Sequence, residues 1–203
     1  VTTTPIDMNG HRLTVDAAFQ YREINDYIRR TTNNDSGRAS SQNDGRVRNL
    51  GTDWGIRYTW KDIFFIGGNF SYIDMRSLTK YVTGTQQESK KERIPAIPYM
   101  YGNGEAGLTL RNVFMKGATL DIHYMMNYIQ KFSYEWNVYQ NEEYDIPTQF
   151  SHDLFVSYNF GKKSEFTVSA ECTNIFDARL YDNFKMQKPG RSFAFKVAYN
   201  FNK

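Results

Sequence analysis

The sequence predicts an all-β protein: an antiparallel transmembrane β-barrel segment of about eight long strands. Three observations carry that expectation. Large apolar residues recur at every second position over long stretches, with small or polar residues between them. The polar stretches that join these runs alternate between long and short. Three of the runs close on an aromatic–polar–aromatic triplet. Successive side chains of a strand point to opposite faces, so a period of two makes one greasy face and one wet face. A soluble sheet turns the greasy face into a core. A membrane barrel turns it out to lipid and turns the wet face to the lumen.

Taken in order, the first strand runs from 12 to about 29, with Leu13, Val15, Ala17, Phe19 and Tyr21 opposite Thr14, Asp16, Gln20 and Arg22. A stretch from 31 to 45, rich in Asn, Ser and Gly, has loop composition. The second strand, about 47 to 60, puts Leu50, Trp54, Ile56, Tyr58 and Trp60 opposite Asp53, Gly55, Arg57 and Thr59. A very short connection leads to the third, 63 to about 76, with Phe64, Ile66, Phe70 and Tyr72 on one face. Its Gly67 and Gly68 mark a bulge or a close approach. A long polar connection follows, carrying five lysines or arginines and two glutamates between Arg76 and Arg93.

The fourth strand, about 99 to 111, aligns Ala106, Leu108 and Leu110. A turn near Lys116-Gly117 opens the fifth, 119 to about 136, where Leu120, Ile122, Tyr124, Met126 and Tyr128 alternate with Asp121, His123 and Asn127. After a polar loop from 137 to 148 comes the sixth, about 149 to 160, with Phe150, His152, Leu154, Val156, Tyr158 and Phe160 on one face. A tight turn at Gly161-Lys-Lys-Ser164 leads to the seventh, about 165 to 176, with Phe166, Val168, Ala170 and Cys172 together. A loop from 177 to 189 precedes the last strand, in which Phe193, Phe195, Val197, Tyr199 and Phe201 share a face.

Two regularities favour lipid over a dry core. Outer-membrane barrels alternate short inner turns with long outer loops, as these connections do. The triplets Tyr58-Thr-Trp60, Tyr158-Asn-Phe160 and Tyr199-Asn-Phe201 all fall on one rim in that topology. There they make a lipid-facing interface girdle, half in lipid and half in water. The mid-strand charges Asp16, Arg22, Asp53, Arg57, Asp121, Glu171 and Lys196 all lie on the other face. Facing them to the lumen avoids about 2–4 kcal/mol for each Arg or Lys at the bilayer midplane.

Composition sets further bounds. The chain has 203 residues, 40% hydrophobic and 16% aromatic, with a mean hydropathy of −0.66. No run approaches the roughly 18 apolar residues that a spanning helix needs, which excludes a helical membrane protein. A barrel strand escapes such a scan because half its residues are polar. The net charge of +3 comes from scattered residues and gives no case for nucleic acid as a partner. The single cysteine, Cys172, rules out an internal disulfide and sits in an alternating strand as a small apolar residue. The opening Val1-Thr-Thr-Thr-Pro5 lacks the charged and apolar regions of a signal peptide, so an exported protein would be read here in mature or truncated form.

No bond chemistry is legible. The sequence has no G-x-S-x-G, HExxH, phosphate loop or Cys-x-x-Cys, and the neighbours Glu142 and Glu143 sit in a polar loop. His11, His123 and His152 share no ligand spacing, so neither a metal nor a cofactor is expected. Arg29, Arg30, Arg38, Arg46 and Arg48 gather near the first loop. They make either an anion-attracting patch or, more simply, a solvated charged edge.

The last two strands resemble the closing hairpin of TonB-dependent outer-membrane receptors. The residues concerned are Glu171-Cys-Thr-Asn-Ile-Phe-Asp177, Leu180-Tyr181, Pro189-Gly-Arg-Ser-Phe193 and Tyr199-Asn-Phe201. Arg48-Asn-Leu-Gly51, Ile94-Pro95 and Ile146-Pro147 fit the same family in order, so the resemblance covers nearly the whole chain. It implies that residues 1–203 are the C-terminal portion, about the last third, of a barrel of about 22 strands, with the family's plug domain absent from this chain. It further implies an outer-membrane protein of a Gram-negative bacterium that takes up a scarce nutrient such as a ferric siderophore, haem, cobalamin or a glycan. The energy would come from the TonB complex acting through the plug. Outer-membrane lipid and the barrel-assembly machinery are the other implied partners. Ligand contacts would come from the outer loops, about 30–45, 77–93, 137–145 and 177–188. Two other readings compete: a complete eight-stranded outer-membrane barrel with a structural or adhesion role, and a soluble β-sandwich binding module.

Overall fold

The structure, a computed structural model, describes residues 1–32, 39–81, 90–136, 141–161 and 165–201. Of residues 29–32, 39, 40 and 42 it describes the backbone. One antiparallel sheet of nine strands dominates, and every neighbour in it follows in chain order. Its members are β1 (Thr2–Met8), β2 (His11–Ile24), β5 (Val47–Trp60), β6 (Phe64–Ser77), β7 (Met100–Arg111), β8 (Thr119–Ile129), β11 (Gln149–Phe160), β12 (Phe166–Thr173) and β13 (Ser192–Tyr199). Two small hairpins stand apart, β3 (Ile28–Thr32) with β4 (Ala39–Asn43) and β9 (Phe132–Ser133) with β10 (Asp145–Ile146). Among the described residues the one helical element is a short 3-10 turn, Glu142–Tyr144, and no helix is long and apolar enough to cross a membrane. That says nothing of strands, which cross differently.

The register shows that the separate alternations belong to one surface. Leu13 pairs with Tyr58, Tyr58 with Ile66, Ile66 with Ala106, Ala106 with Tyr124, Tyr124 with Leu154, Leu154 with Cys172 and Cys172 with Phe193. Directly opposed residues share a face, so this row crosses eight strands without changing sides. The apolar face is bare: Phe19 is 72% exposed, Phe195 81% and Val197 76%. A sandwich would need a second facing sheet, and a closed eight-stranded barrel would pair its first strand with its last. Here the long strands make a single sheet, with β1 and β13 at its edges.

The long strands match the sequence expectation closely, and the differences have local causes. A ninth strand, β1, precedes the predicted eight. Its signal is masked by Pro5, which lacks an N–H and falls where the register shifts by one residue between Thr3 and Ile6. The turn into β2 is Asn9-Gly10, both with positive φ (55° and 79°), the mirror-image two-residue hairpin turn that suits strand twist. The predicted first strand ends at Ile24, and its remainder becomes β3. Part of the stretch read as loop becomes β4. The predicted fifth strand leaves the sheet after Ile129, and the buried Phe132 starts β9. The Gly67-Gly68 pair is a close approach and no bulge, since the register runs through it unbroken on both sides. Of the predicted turn at 161–164, residues 162–164 lie outside the described residues.

Connections at one end of the sheet are short: 9–10, 61–63, 112–118 and 161–165. Those at the other end are long, and described parts of them pack against the strand ends. There Val47, Met75, Ile94 and Trp136 form the buried cluster, with Ile24, Tyr27, Ile73 and Ile97 packed against it. Strands β6 and β7 approach closely at Gly102, where an added Cβ would lie 2.4 Å from the Asn69 carbonyl oxygen and 3.2 Å from Phe70 Cα. Backbone on a paired strand cannot move aside cheaply. Gly102→Val is therefore expected to cost about 1–3 kcal/mol by overpacking, read as a lower denaturant midpoint than that of Gly104→Val. At Gly104 the nearest atom to an added Cβ is the flexible end of Met126, at 3.5 Å.

Candidate functional site

The predicted girdle residues stand at the end with the short connections. Tyr58 and Trp60 close β5 and sit beside His11, whose Nδ1 is 2.7 Å from the Tyr58 hydroxyl. Lys61 lies over the Trp60 ring. Further along the same rim the rings form an unbroken line. Phe114 meets Tyr158, Tyr158 stacks on Phe160 and Phe160 on Phe166, Phe166 lies tilted against Tyr199, and Tyr199 meets Phe201 edge-on, at centroid distances of 4.6–6.1 Å. The Tyr158 hydroxyl donates to the Val113 carbonyl at 2.8 Å, so the ring's polar tip is satisfied at the rim. The sequence pointed to six of these aromatics. His11 and Phe166 join them through strand pairing and Phe114 through the connection that carries it, though Phe166 was already on the right face.

The opposite face carries three polar clusters. Ser71 donates to Asp53 at 2.6 Å, and Arg57 pairs with Glu105, which also faces His123 at 3.3 Å. Thr109 and Asn159 both donate to Asp121, and Thr167 donates to Asn159. Phe65 lies across this face with the Arg57 guanidinium 4.3 Å from its centroid and His123 edge-on. A recess of about 510 Å³ opens between Asp16, Asp53, Arg57 and Glu105. Under the long connections a second recess, about 540 Å³, is lined by Tyr101, Asn103, Asn127, Gln149, Leu180 and Lys188. Amide groups, an aromatic ring and one cation in a partly apolar recess suit a polar small molecule.

The connection between β12 and β13 closes that recess, and the closing motif explains how. Asn174 donates to the Ala178 carbonyl and accepts from the Ala178 N–H, and its own N–H donates to Asp153. Asp177 then accepts from the Arg191 N–H at 2.8 Å. Thus the Asn-Ile-Phe-Asp and Pro-Gly-Arg segments, apart in sequence, fasten the two ends of one connection. Tyr181 N–H donates to Gln149, which draws the connection over the polar face. Beside β9, Asp145 lies 2.7 Å from Lys131; this hydrogen bond, and then its charge, holds the ammonium above its ordinary pKa.

The basic cluster predicted near the first loop divides. Arg38 and the side chains of Arg29 and Arg30 lie outside the described residues. Arg46 pairs with Glu23 at 3.2 Å, and Arg48 turns to Asp74 at 3.7 Å. Around that carboxylate the structure also brings Arg76 and Arg93, which the sequence did not connect with Arg48. The three histidines fall in three separate places, and among the described residues no group of three His, Cys, Asp or Glu is placed to hold a metal ion. Glu142 and Glu143 open the 3-10 turn, capped by Asn141.

No curated protein matches this sequence. Solved structures do. BauA, the ferric preacinetobactin receptor from Acinetobacter baumannii, superposes with a TM-score of 0.66 at 15% identity, over 97% of this chain and 28% of that one. The copper transporter OprC gives 0.66 at 12% identity, over 96% and 30%. The FrpB iron transporter from Neisseria meningitidis gives 0.63 at 16%, over 96% and 30%. The chain thus spans less than a third of the length of these structures, and the likeness is one of fold. Residues 6–175 match the family described as TonB dependent receptor-like, beta-barrel. Members of that family are outer-membrane proteins of Gram-negative bacteria and are not enzymes. On that match, which covers most of the sequence, the chain belongs to the TonB-dependent receptor-like β-barrel family.

Proposed function

We propose that this chain is the last third of the barrel of an outer-membrane active transporter, whose plug lies outside residues 1–203. The observation that carries the reading is the bare apolar face running across eight paired strands, with the mid-strand charges opposite it. Apolar surface left in water costs about 25 cal/mol per Å², and acyl chains remove that cost. The aromatic line at one rim then lies at the inner interface as its girdle, and Tyr58, Trp60, Tyr158, Phe160, Tyr199 and Phe201 face lipid there. The free edges of β1 and β13 take the neighbouring strands of the full barrel.

Transport follows from the two faces. The polar clusters line the lumen, where the plug sits and receives energy from the TonB complex. The recess beneath the long connections meets the incoming nutrient at the outer end. A metal complex such as a ferric siderophore fits the relatives' printed roles in iron and copper transport; haem, cobalamin and glycans belong to the same class of scarce nutrient. The barrel-assembly machinery delivers the strands to the bilayer.

A deletion strain supplied with one source at a time (ferric siderophore, haem, copper, cobalamin or glycan) tests this. The expected result is loss of energised uptake for one source, with wild-type uptake of that source stopped by a proton uncoupler. Uptake of every source unchanged in the deletion strain, with the protein missing from the outer-membrane fraction of the wild type, would sink the proposal.

A further inference from the structure

A cluster of arginines on the apolar side of the sheet has no part in the transport reading. Asp74 lies at its centre with its side chain only 11% exposed. Arg76 Nε donates to both carboxylate oxygens at 2.8 and 2.9 Å, Arg93 Nε donates at 3.3 Å, and Arg48 approaches at 3.7 Å. Register fixes the side: Asp74 pairs with Leu50 and Leu50 with Tyr21, while Arg76 pairs with Arg48 and with Arg93. All of these continue the apolar face beyond its last aromatics. Arg93 is further fixed by stacking over Tyr99 at 3.8 Å and by the Tyr72 hydroxyl at 3.4 Å. Arg76 also donates to the Lys91 carbonyl.

Charge is left over. Three guanidiniums surround one carboxylate, and Arg46 with Glu23 adds a neutral pair beside them. Glu92 lies near Arg76 and offsets part of the excess, which stays positive. Each guanidinium has about five N–H donors, so donors remain. The Arg48 side chain is 39% exposed and the Arg93 side chain 36%, so their outer N–H groups can be reached from outside. A carboxylate that pins several arginines leaves their outer N–H groups aimed in fixed directions, which suits a phosphate.

Height decides what reaches the cluster. From Phe64, at the girdle end of β6, to Asp74 is ten residues. At about 3.3 Å per residue and a tilt of about 40°, that is about 25 Å along the membrane normal, the height of the apolar band of an outer-membrane barrel. The arginines therefore stand level with the headgroups of the outer leaflet and on the side that faces them. We infer that Arg48, Arg76 and Arg93, held by Asp74, bind the phosphate of an outer-leaflet lipid headgroup. This rests on the membrane orientation proposed above.

The test uses the intact outer-membrane protein in detergent, with lipid retention read by native mass spectrometry. The probes are lipid A carrying its phosphates, dephosphorylated lipid A, and inorganic phosphate. The variant is Arg48→Gln with Arg93→Gln, which leaves Arg76 on Asp74 so that the carboxylate keeps a partner. Arg12→Gln at the opposite rim is the control. Phosphorylated lipid A is expected to be retained by the wild type and the control and held at least about ten-fold more weakly by the double variant. Equal retention by the double variant, or equal retention of dephosphorylated lipid, would overturn the site. Displacement of bound lipid by inorganic phosphate at matched concentration would reassign it to a free anion and overturn the lipid claim. Insertion is measured on the same cells. A wild-type protein absent from the outer membrane sinks the orientation and this site together, whereas an inserted protein that fails the lipid test sinks this site alone.

Discussion

Phe195→Arg is expected to block assembly in the outer membrane. Phe195 lies mid-strand in β13, on the apolar face opposite Ala170 and between Phe193 and Val197. Tyr199, at the rim with the short connections, is four residues on. Four residues of strand span about 13 Å, or about 10 Å along the normal at a tilt of about 40°, which places Phe195 near the middle of an apolar band about 25 Å tall. A guanidinium there costs about 2–4 kcal/mol. The prediction discriminates because Phe195 is 81% exposed. In a water-soluble protein such a surface substitution changes stability by only about 0.5 kcal/mol either way. Ala194→Arg is the matched control, because Ala194 faces Glu171 across the pair on the polar side. Gel mobility with and without heating, on outer-membrane fractions, reads the result. Normal assembly of Phe195→Arg would reverse the orientation of the whole sheet.

Trp136→Ala is expected to free the long connections while leaving the strands paired. Trp136 is 8% exposed and packs with Val47, Met75 and Ile94, which are 9% exposed or less. Emptying such a site costs about 3–5 kcal/mol. The loss falls on the loop end, because the nine-strand ladder does not run through Trp136. The connection 78–99 is tied to this cluster by Ile94, whose N–H donates to the Met75 carbonyl, and 130–148 contains Trp136 itself. Local opening should therefore dominate. Protease added to intact cells should cut these two connections faster in the variant, while the strands stay protected. Ile73 and Ile97 border both this cluster and the upper recess, so ligand affinity should fall as well. Unchanged cleavage would show that the cluster does not hold the loops.

Which features could be read in advance follows a pattern. β5 and β11 match their expected spans residue for residue, because each is a long, clean alternation bounded by turn residues. β1 was missed although Asn9-Gly10 is a strong hairpin signal, since Pro5 argues against a strand and the bulge around it breaks the alternation. β4 was read as loop because Ala39–Asn43 contains nothing with strand character of its own; it forms only by pairing with β3. Among the site residues, the shared place of Tyr58, Trp60, Tyr158, Phe160, Tyr199 and Phe201 at one rim was legible because they repeat at strand ends. The Asp74 cluster was not, since Arg48, Asp74 and Arg93 come from three segments whose spacing carries no motif. The nearest hint was Asp74 and Arg76 two apart on one face.

Side-chain direction along a strand is a local property, so the greasy and wet faces and the rhythm of the connections were already contained in the order of residues. Contacts between segments are another matter. The ring line from Phe114 to Phe201, the tie between Asp177 and Arg191, and the three arginines around Asp74 exist only once the strands lie side by side in one register. Register is set by how each connection turns back and where a bulge inserts a residue, and a one-residue slip would send every one of these side chains to the other face. Folding therefore decided the neighbours, and the neighbours made the sites.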